Sequence, residues 1–183
     1  MSFPGKTYHT LYLKDEGFTL IELLTVISVV GILVTVLAFS FDQWNSGYTV
    51  ESQIKRLHMD LMNTRARSMQ RSRMHFVDLT ATQYDIYEDT DPAPDGDGIP
   101  NAATDTRVTQ KILNLRYPIV FTNAQVEFNN KGISINDTVI CNNAVADADY
   151  DCIDISATRI NMGQLTTSIP DGGACDAANC VNR

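Results

Sequence analysis

Residues 17–24 read Gly-Phe-Thr-Leu-Ile-Glu-Leu-Leu, and they open the longest apolar run of the chain. Glu22 is the one charged residue in this run, because the next charge along the chain is Asp42. Placing an ionised carboxylate at membrane depth costs about 2.5–3.5 kcal/mol on insertion scales, so an acid kept there points to a function. We therefore begin the interpretation of the whole chain from Glu22.

The apolar run extends over residues 18–41, which is 24 residues. As an α-helix it would be about 36 Å long, enough to cross a bilayer core of about 30 Å. A cleaved secretory signal has an apolar core of only about 7–15 residues followed by a small-residue cut site, and no Ala-x-Ala follows this run. The sequence therefore predicts that residues 18–45 form a retained transmembrane helix.

The order of Gly17, Phe18 and Glu22 ahead of an apolar helix resembles the prepilin signature of type IV pilins and type II secretion pseudopilins. The resemblance implies that residues 1–17 are a leader, which the prepilin peptidase removes by cutting after Gly17. Phe18 would then become the N-methylated first residue of the mature chain. The cut precedes the apolar run, so the mature protein would keep its helix in the bacterial inner membrane, with its head in the periplasm.

The resemblance also implies a role for Glu22 in filament assembly. A buried carboxylate needs a partner, and the new amine on Phe18 of the same or a neighbouring subunit is the available cation. Such a pair would set the axial register of the subunit in the filament. The chain departs from the family pattern in two places: Asp15 and Glu16 precede the cut where a basic residue is usual, and no proline occurs between Gly31 and Phe41.

Charge is unevenly distributed along the 183 residues, whose net charge is −8. Residues 18–73 carry six basic and four acidic side chains, a net +2, whereas residues 74–183 carry six basic and sixteen acidic ones, a net −10. An acidic head is repelled by nucleic acid phosphates, so nucleic acid is an unlikely partner. The basic side chains of the stem either form a solvated helix face or contact the acidic head of an adjacent subunit.

The periodicity of apolar residues predicts an α+β head. Residues 46–73 continue the helix with an amphipathic stripe at spacings of three and four, made of Val50, Ile54, Leu57, Leu61, Met62, Ala66 and Met69. Gly47 could mark a bend, or Thr49 or Ser52 could cap a separate second helix. Residues 74–183 then alternate with period two and predict an antiparallel sheet on which the helix lies.

The expected strands are residues 75–79, 83–87, 107–113, 115–121, 126–128, 133–135, 138–141 and 152–160. A long helix followed by this order of strands resembles the pilin fold, and in particular the FimT/GspH class of minor pseudopilins. Three features of this chain resemble that class, less specifically than the prepilin signature does: the helix segment 61–69, the hairpin from Phe128 to Gly132 and the strand pair ending near Gly163.

Four cysteines occur in the last third of the chain, and an even number in an exported protein predicts two disulfides. Four cysteines allow three connectivities, of which pairing Cys141 with Cys152 and Cys175 with Cys180 closes the shortest loops and is the expected one. A zinc site is disfavoured because the spacings match no common zinc motif and no histidine lies nearby.

Residues 89–101 form an acidic segment rich in proline and glycine. Alternating carboxylates with interleaved glycines are typical of calcium loops, and residues 95–101 resemble the calcium repeat of thrombospondin type 3 domains. The candidate ligands are Asp89, Asp91, Asp95, Asp97 and Asn101, and the alternative is a flexible solvated loop. Residues 147–151, with Asp147, Asp149 and Asp151, are a weaker candidate.

The sequence contains no enzyme motif: no phosphate loop, no dinucleotide fingerprint and no His-Glu-x-x-His. The expected function is that of a minor pilin or pseudopilin, a structural subunit at or near the tip of a type IV pilus or a type II secretion pseudopilus. Its partners would be other pilin or pseudopilin subunits, the prepilin peptidase and the inner membrane. The alternatives are a DNA-binding minor pilin for DNA uptake and an adhesive or calcium-binding pilus subunit; no cofactor is required.

Overall fold

The computed structural model describes residues 17–94 and 96–183, and it leaves the side chains of residues 36–43 undescribed. Residues 1–16 of the predicted leader and the candidate ligand Asp95 therefore lie outside the described residues. The chain divides into two compact units, one ending at Ser40 and the other comprising Phe41–Arg183.

Within the described residues one α-helix precedes nine strands. They are α1 (Leu20–Arg71), β1 (His75–Leu79), β2 (Gln83–Glu88), β3 (Thr106–Ile112), β4 (Ile119–Phe121), β5 (Gln125–Phe128), β6 (Thr138–Asn142), β7 (Cys152–Ile155), β8 (Ile160–Leu165) and β9 (Cys180–Asn182). All strand pairs are antiparallel, and they form a four-stranded sheet, β3-β2-β1-β5, and a five-stranded sheet, β4-β6-β7-β8-β9. The predicted α+β class, a helix packed on antiparallel strands, is confirmed.

The strands form two sheets where one was predicted, and β9 was not predicted; three of the expected strands also differ from the prediction. The expected strand 115–121 begins only at Ile119 and belongs to the second sheet, where it pairs with β6. The expected run 152–160 is split into β7 and β8 by a turn closed by the Ser156 N–H, which donates to the Arg159 carbonyl at 2.9 Å. Residues 133–135 contribute only an isolated bridge, between Ser134 and Phe128. Short apolar runs predict strands well, but they do not determine which sheet a strand joins.

The helix contributes one buried stripe to the core. Val50, Ile54, Leu57 and Leu61 have no exposed surface and pack with residues of both sheets, including Val77, Phe128, Ile140 and Ile153. The predicted continuation of the stripe through Met62 and Met69 is wrong, because those side chains are 44% and 47% exposed. Thr64 and Ser68 are buried instead, and each donates its hydroxyl to a carbonyl of its own helix, of Asp60 and of Arg65 respectively.

Gly47 lies inside α1, which continues through it without the start of a second helix. It is buried, and a Cβ at this position would overlap the backbone carbonyl oxygen of Asp147. The missing side chain therefore allows the loop before β7 to lie directly against the helix, beside the buried Ala148. The glycine is explained by this close approach.

We expect Gly47→Ala to destabilise the head, although helix propensity alone would make the change favourable by about 1 kcal/mol. The overlap involves backbone, which cannot rotate away, so the loop at Asp147 and Ala148 must move away from the helix. Thermal unfolding of the full chain in detergent should show a lower Tm for this variant. Ser52→Ala, on an exposed part of the same helix, is the control and should leave the Tm nearly unchanged. A raised Tm for Gly47→Ala would contradict the close approach.

All four cysteines are paired, but the expected nearest-neighbour connectivity is wrong. The disulfides join Cys141 to Cys175 and Cys152 to Cys180, with Cα–Cα distances of 5.8 Å and 6.0 Å. Cys141 and Cys152 do lie opposite each other on β6 and β7, yet each bonds to the C-terminal segment. Neither short chain separation nor adjacency of the two strands therefore decides the pairing. The disulfides thereby tie the last residues of the chain to the second sheet.

Gly163 on β8 makes room for one of these disulfides. It is the partner of Cys152 in the β7–β8 register. A Cβ on Gly163 would lie 2.6 Å from the Val181 carbonyl oxygen and 3.0 Å from Cys180 Sγ. The absence of a side chain thus lets β9 and its cysteine approach β7 across β8.

His75, at the start of β1, is a buried imidazole with an unusual environment. Its Nδ1 faces the Arg73 carbonyl oxygen at 3.3 Å, whereas Nε2 is buried and has no hydrogen-bond partner among the described residues. Burial lowers the pKa of His75, the Arg73 carbonyl and Glu88 oppose that shift, and Arg71 and Arg67 add to it. The folded head therefore favours the neutral ring.

We expect His75 to make the head less stable on acidification. The pKa of His75 is lower in the folded chain than in the unfolded chain, where it is about 6.5. As the pH falls through 6.5, the unfolded chain therefore binds more protons than the folded chain, and the folded state loses stability. The free energy of unfolding should fall more steeply between pH 7.5 and pH 5.5 in the natural chain than in His75→Gln. Asp78 and Asp151, whose pKa values burial raises, act in the opposite direction at lower pH. Equal slopes for both proteins would show that His75 titrates as it does when unfolded.

Candidate assembly and processing site

The predicted processing site lies in an accessible segment. Gly17 and Phe18 precede α1, Phe18 is 86% exposed, and no atom comes within 4 Å of where a Gly17 Cβ would be. Among the described residues, no helix or strand covers the peptide bond between these two residues. The roles of Gly17 and Phe18 in processing remain predictions.

Thr19 positions the start of the helix, and the sequence reasoning missed it. Its side-chain oxygen accepts a hydrogen bond from the Glu22 N–H at 3.3 Å, and its carbonyl accepts one from the Leu23 N–H at 3.2 Å. This is the N-cap half of a capping box, whose Thr-x-x-Glu spacing was readable from the sequence. Glu22 is therefore in the first helical turn, where a carboxylate also interacts favourably with the helix dipole.

The first turns of α1 expose apolar side chains on every side. All residues from 20 to 35 are exposed, and the large apolar ones among them range from 50% to 81% exposed. They are Leu20, Ile21, Leu23, Leu24, Val26, Ile27, Val29, Val30, Ile32, Leu33 and Val34. A helix that is apolar all round is stable only when something else covers it, either lipid or other helices.

The polar side chains of the same segment, except Glu22, donate hydrogen bonds to carbonyl groups of their own helix. Thr25 donates its hydroxyl to the Glu22 carbonyl at 2.9 Å, Ser28 to that of Leu24 at 2.8 Å, and Thr35 to that of Ile32 at 2.7 Å. None of the three then needs an outside partner in an apolar medium. Within residues 17–94 and 96–183, the Glu22 carboxylate has neither a hydrogen-bond partner nor an ion pair.

Two aromatic residues follow the apolar segment on the same helix. Trp44 and Tyr48 are 67% and 64% exposed, and their rings stack with centroids 6.2 Å apart.

The structure does not identify the predicted membrane span. None of the helices in the described part of the chain reaches the length and hydropathy that crossing a membrane requires.

The basic residues of the stem divide into paired and unpaired ones. Arg71 and Arg73 both contact the buried carboxylate of Glu88, at 2.7 Å and 3.5 Å, and Lys55 pairs with Glu51. Arg65 donates to the Thr158 carbonyl at 2.8 Å. Arg56 and Arg67 are exposed and form no ion pair with any described residue. Part of the basic stem thus holds the head together, while the rest remains open to solvent or a partner.

The acidic loop between β2 and β3 is organised by its own carboxylates. Asp105 is buried and accepts the N–H groups of Thr90, Asp91 and Asn101 at 2.8–3.2 Å. Asp89 is also buried, and its Oδ2 accepts the Gly98 N–H at 2.7 Å. Burial raises the pKa of Asp89, which the Gly98 N–H partly offsets. Most other residues of the loop are exposed, as the alternative of a solvated loop also expects.

The proposed calcium ligands are only partly brought together. Asp91 and Asp97 are exposed, Asp97 Oδ1 accepts the Ile99 N–H, and Asn101 Oδ1 accepts the Ala103 N–H. The described residues, which leave out Asp95, contain no group of three or more metal-binding side chains. In the weaker candidate, Asp151 accepts the Leu165 N–H at 2.7 Å and Asp149 pairs with Arg183.

Comparison with known proteins gives one match. Residues 13–38 match the family model described as the prokaryotic N-terminal methylation motif. The match contains Gly17, Phe18 and Glu22, and it supports a type IV pilin-like or pseudopilin subunit. No curated protein and no solved structure matches the chain.

Proposed function

We propose that this chain is a minor pilin or pseudopilin, a structural subunit of a bacterial filament and not an enzyme. The observation that carries the proposal is the exposed, all-round apolar helix of residues 20–35, whose one unsatisfied side chain is Glu22. In water such a surface is unfavourable by about 25 cal/mol for each Å² of apolar area. It requires the inner membrane before assembly and a bundle of identical or similar helices afterwards.

Processing would complete the site. Cleavage after Gly17 by the prepilin peptidase leaves Phe18 and Thr19 ahead of α1, so the Thr19 cap is retained and the new amine lies one turn from Glu22. This amine, methylated but still cationic, would then pair with the Glu22 carboxylate of its own or an adjacent subunit. A charge pair in an apolar medium selects one register because every displaced register leaves both charges unpaired.

The finer assignment is a FimT/GspH-like subunit at or near the tip of a type IV pilus or a type II secretion pseudopilus. It is supported by the stem segment 61–69, whose sequence resembles that class, and by a head that carries its own disulfides. DNA uptake is the less favoured alternative, because the net charge of −10 on residues 74–183 opposes phosphate binding. Adhesion through the acidic loop is the other alternative.

Photo-crosslinking in cells that make the full chain tests the proposed environment of the apolar helix. We expect benzoylphenylalanine in place of Leu33, which is 57% exposed, to form adducts with lipid and with the apolar helix of another subunit. The same group in place of Ile135, an exposed apolar residue of the head, is the control and should give no lipid adduct. A chain that stays in the soluble fraction and forms no adduct at position 33 would refute the proposal.

Calcium binding by the acidic loop is a second proposal, favoured by one observation. Asp89 is 2% exposed, and its Oδ1 has no hydrogen-bond partner among the described residues, which suits an oxygen that a cation would occupy. We expect calorimetric titration of the full chain in detergent with millimolar CaCl₂ to release heat, and Asp89→Asn to abolish it. If the natural chain releases no heat, the proposal that this loop binds calcium is wrong.

A further inference from the structure

A pocket lies between α1 and the edge strand β3. It has a volume of about 260 Å³, and its lining combines apolar surface with two cationic side chains: it includes Tyr48, Ser52, Arg56, Lys111 and Ile112. Neither cation is paired with a carboxylate of the described chain, and both are exposed. On an acidic head, this pocket is a local site for a ligand that is apolar and anionic.

The pocket is held in shape by hydrogen bonds rather than by a ligand. Gln53 on α1 accepts the Asn114 N–H at 2.9 Å and donates to the Tyr117 carbonyl at 2.8 Å, which fixes the turn after β3 against the helix. Tyr84 lies buried at the base and donates its hydroxyl to Asp60 at 2.6 Å. A preformed pocket loses little entropy when it is filled.

The acidic loop presents a matching group. Ile99 is 65% exposed although large and apolar, and its N–H donates to Oδ1 of the exposed Asp97 at 2.9 Å. The buried carboxylate of Asp89 accepts the N–H of Gly98, which lies between these two residues, and that of Asp105 accepts the N–H of Asn101, which follows them. The loop therefore offers an apolar side chain beside a carboxylate, in a conformation that is already fixed.

Loop and pocket of the same chain cannot meet. The loop ends where β3 begins and is joined to the end of α1, where the Asp89 N–H donates to the Met74 carbonyl. The pocket lies at the other end of β3, about 20 Å away for a seven-residue strand. Complementary groups that are separated within one chain can be joined only between chains.

We propose that Ile99 and Asp97 of one copy insert into the pocket of a second copy, with Asp97 facing Arg56 and Lys111. This inference rests on the proposed function, which aligns the N-terminal helices in parallel. Subunits that follow one another in a filament are related by a screw rotation and not by a two-fold axis, so the contact is heterologous: the loop of one copy meets the pocket of its neighbour.

Disulfide cross-linking between two tagged copies of the full chain tests this contact. All four natural cysteines are paired, so introduced thiols react only with each other. One copy carries Ile99→Cys and the other Ile112→Cys, and both are produced in cells with the assembly machinery. We expect at least ten-fold more cross-linked dimer than with Ile99→Cys and Ile135→Cys, since Ile135 is a similar exposed isoleucine away from the pocket.

Charge reversal adds a second readout. Asp97→Lys should reduce the cross-link at least ten-fold, and adding Lys111→Asp in the partner copy should restore most of it. A Leu33 photo-adduct to another subunit with no cross-link from Ile99 to Ile112 would overturn this contact and leave the proposed function standing. The cross-link without any adduct at Leu33 would support the contact between heads and refute the proposed packing of the apolar helix in a filament. A cross-link that Asp97→Lys leaves unchanged would overturn the role given to the charges.

Discussion

Replacing Glu22 with alanine should leave the chain processed at Gly17 but reduce its recovery in filaments at least ten-fold. The carboxylate is the one polar side chain of residues 20–35 without a described partner, so it is available to the amine of Phe18. Removing it spares the subunit a burial cost of about 2.5–3.5 kcal/mol in the membrane but removes the interaction that selects a register. Membrane insertion should therefore persist while assembly fails, and immunoblots of sheared filament and membrane fractions measure both.

Glu22→Gln separates the charge from the helix cap. Glutamine can occupy the same place in a Thr-x-x-Gln capping box. If Glu22 contributed only to the helix cap, this variant would assemble normally. We expect it to fail as alanine does, because it cannot pair with a cation. Thr19→Ala, which removes the cap at a cost of about 1 kcal/mol, is the converse control and should still assemble. Normal assembly of Glu22→Gln would contradict the charge pairing.

Removing the disulfide between Cys152 and Cys180 should cost the head about 3–4 kcal/mol of unfolding free energy. The bond closes a loop with a sequence separation of 28 residues, and closure entropy of this size follows from the chain-entropy relation. The double variant Cys152→Ser, Cys180→Ser should unfold at a lower urea concentration than the natural chain. The matched variant Cys141→Ser, Cys175→Ser, with a separation of 34 residues, should lose a similar amount.

A single substitution distinguishes the two connectivities directly. With the pairing found here, Cys141→Ser leaves Cys175 without its partner, whereas a bond between Cys141 and Cys152 would leave Cys152 without one. We expect alkylation under denaturing conditions, followed by peptide mass mapping, to label Cys175. A label on Cys152 instead would contradict the connectivity.

The sequence was sufficient where local chemistry decides the structure. The strand from 75 to 79 forms with the predicted bounds, and the start of α1 was readable from the Thr-x-x-Glu spacing at Thr19, although the prediction did not use it. The continuation of the helix stripe was predicted wrongly, because Thr64 and Ser68 satisfy their hydroxyls within the helix and so can be buried in place of Met62 and Met69.

Features that depend on distant parts of the chain could not be read in advance. The role of Gly47 depends on a carbonyl one hundred residues away, and the cysteine pairing depends on where the C-terminal segment packs on the second sheet. Loop-closure entropy favours short separations in an unfolded chain, whereas a folded sheet offers bonds only where the Cα atoms already lie about 6 Å apart. The pocket between α1 and β3 is likewise assembled from residues 48 to 114 and has no sequence signature.

The mass of the N-terminal peptide of the mature chain tests the central claim most directly. Protein purified from membranes, digested and analysed by mass spectrometry should begin at Phe18 and carry one additional methyl group on its amine. A mature chain that still begins at Met1, or that has been cut on the far side of the apolar helix, would contradict the proposed processing and with it the role assigned to Glu22.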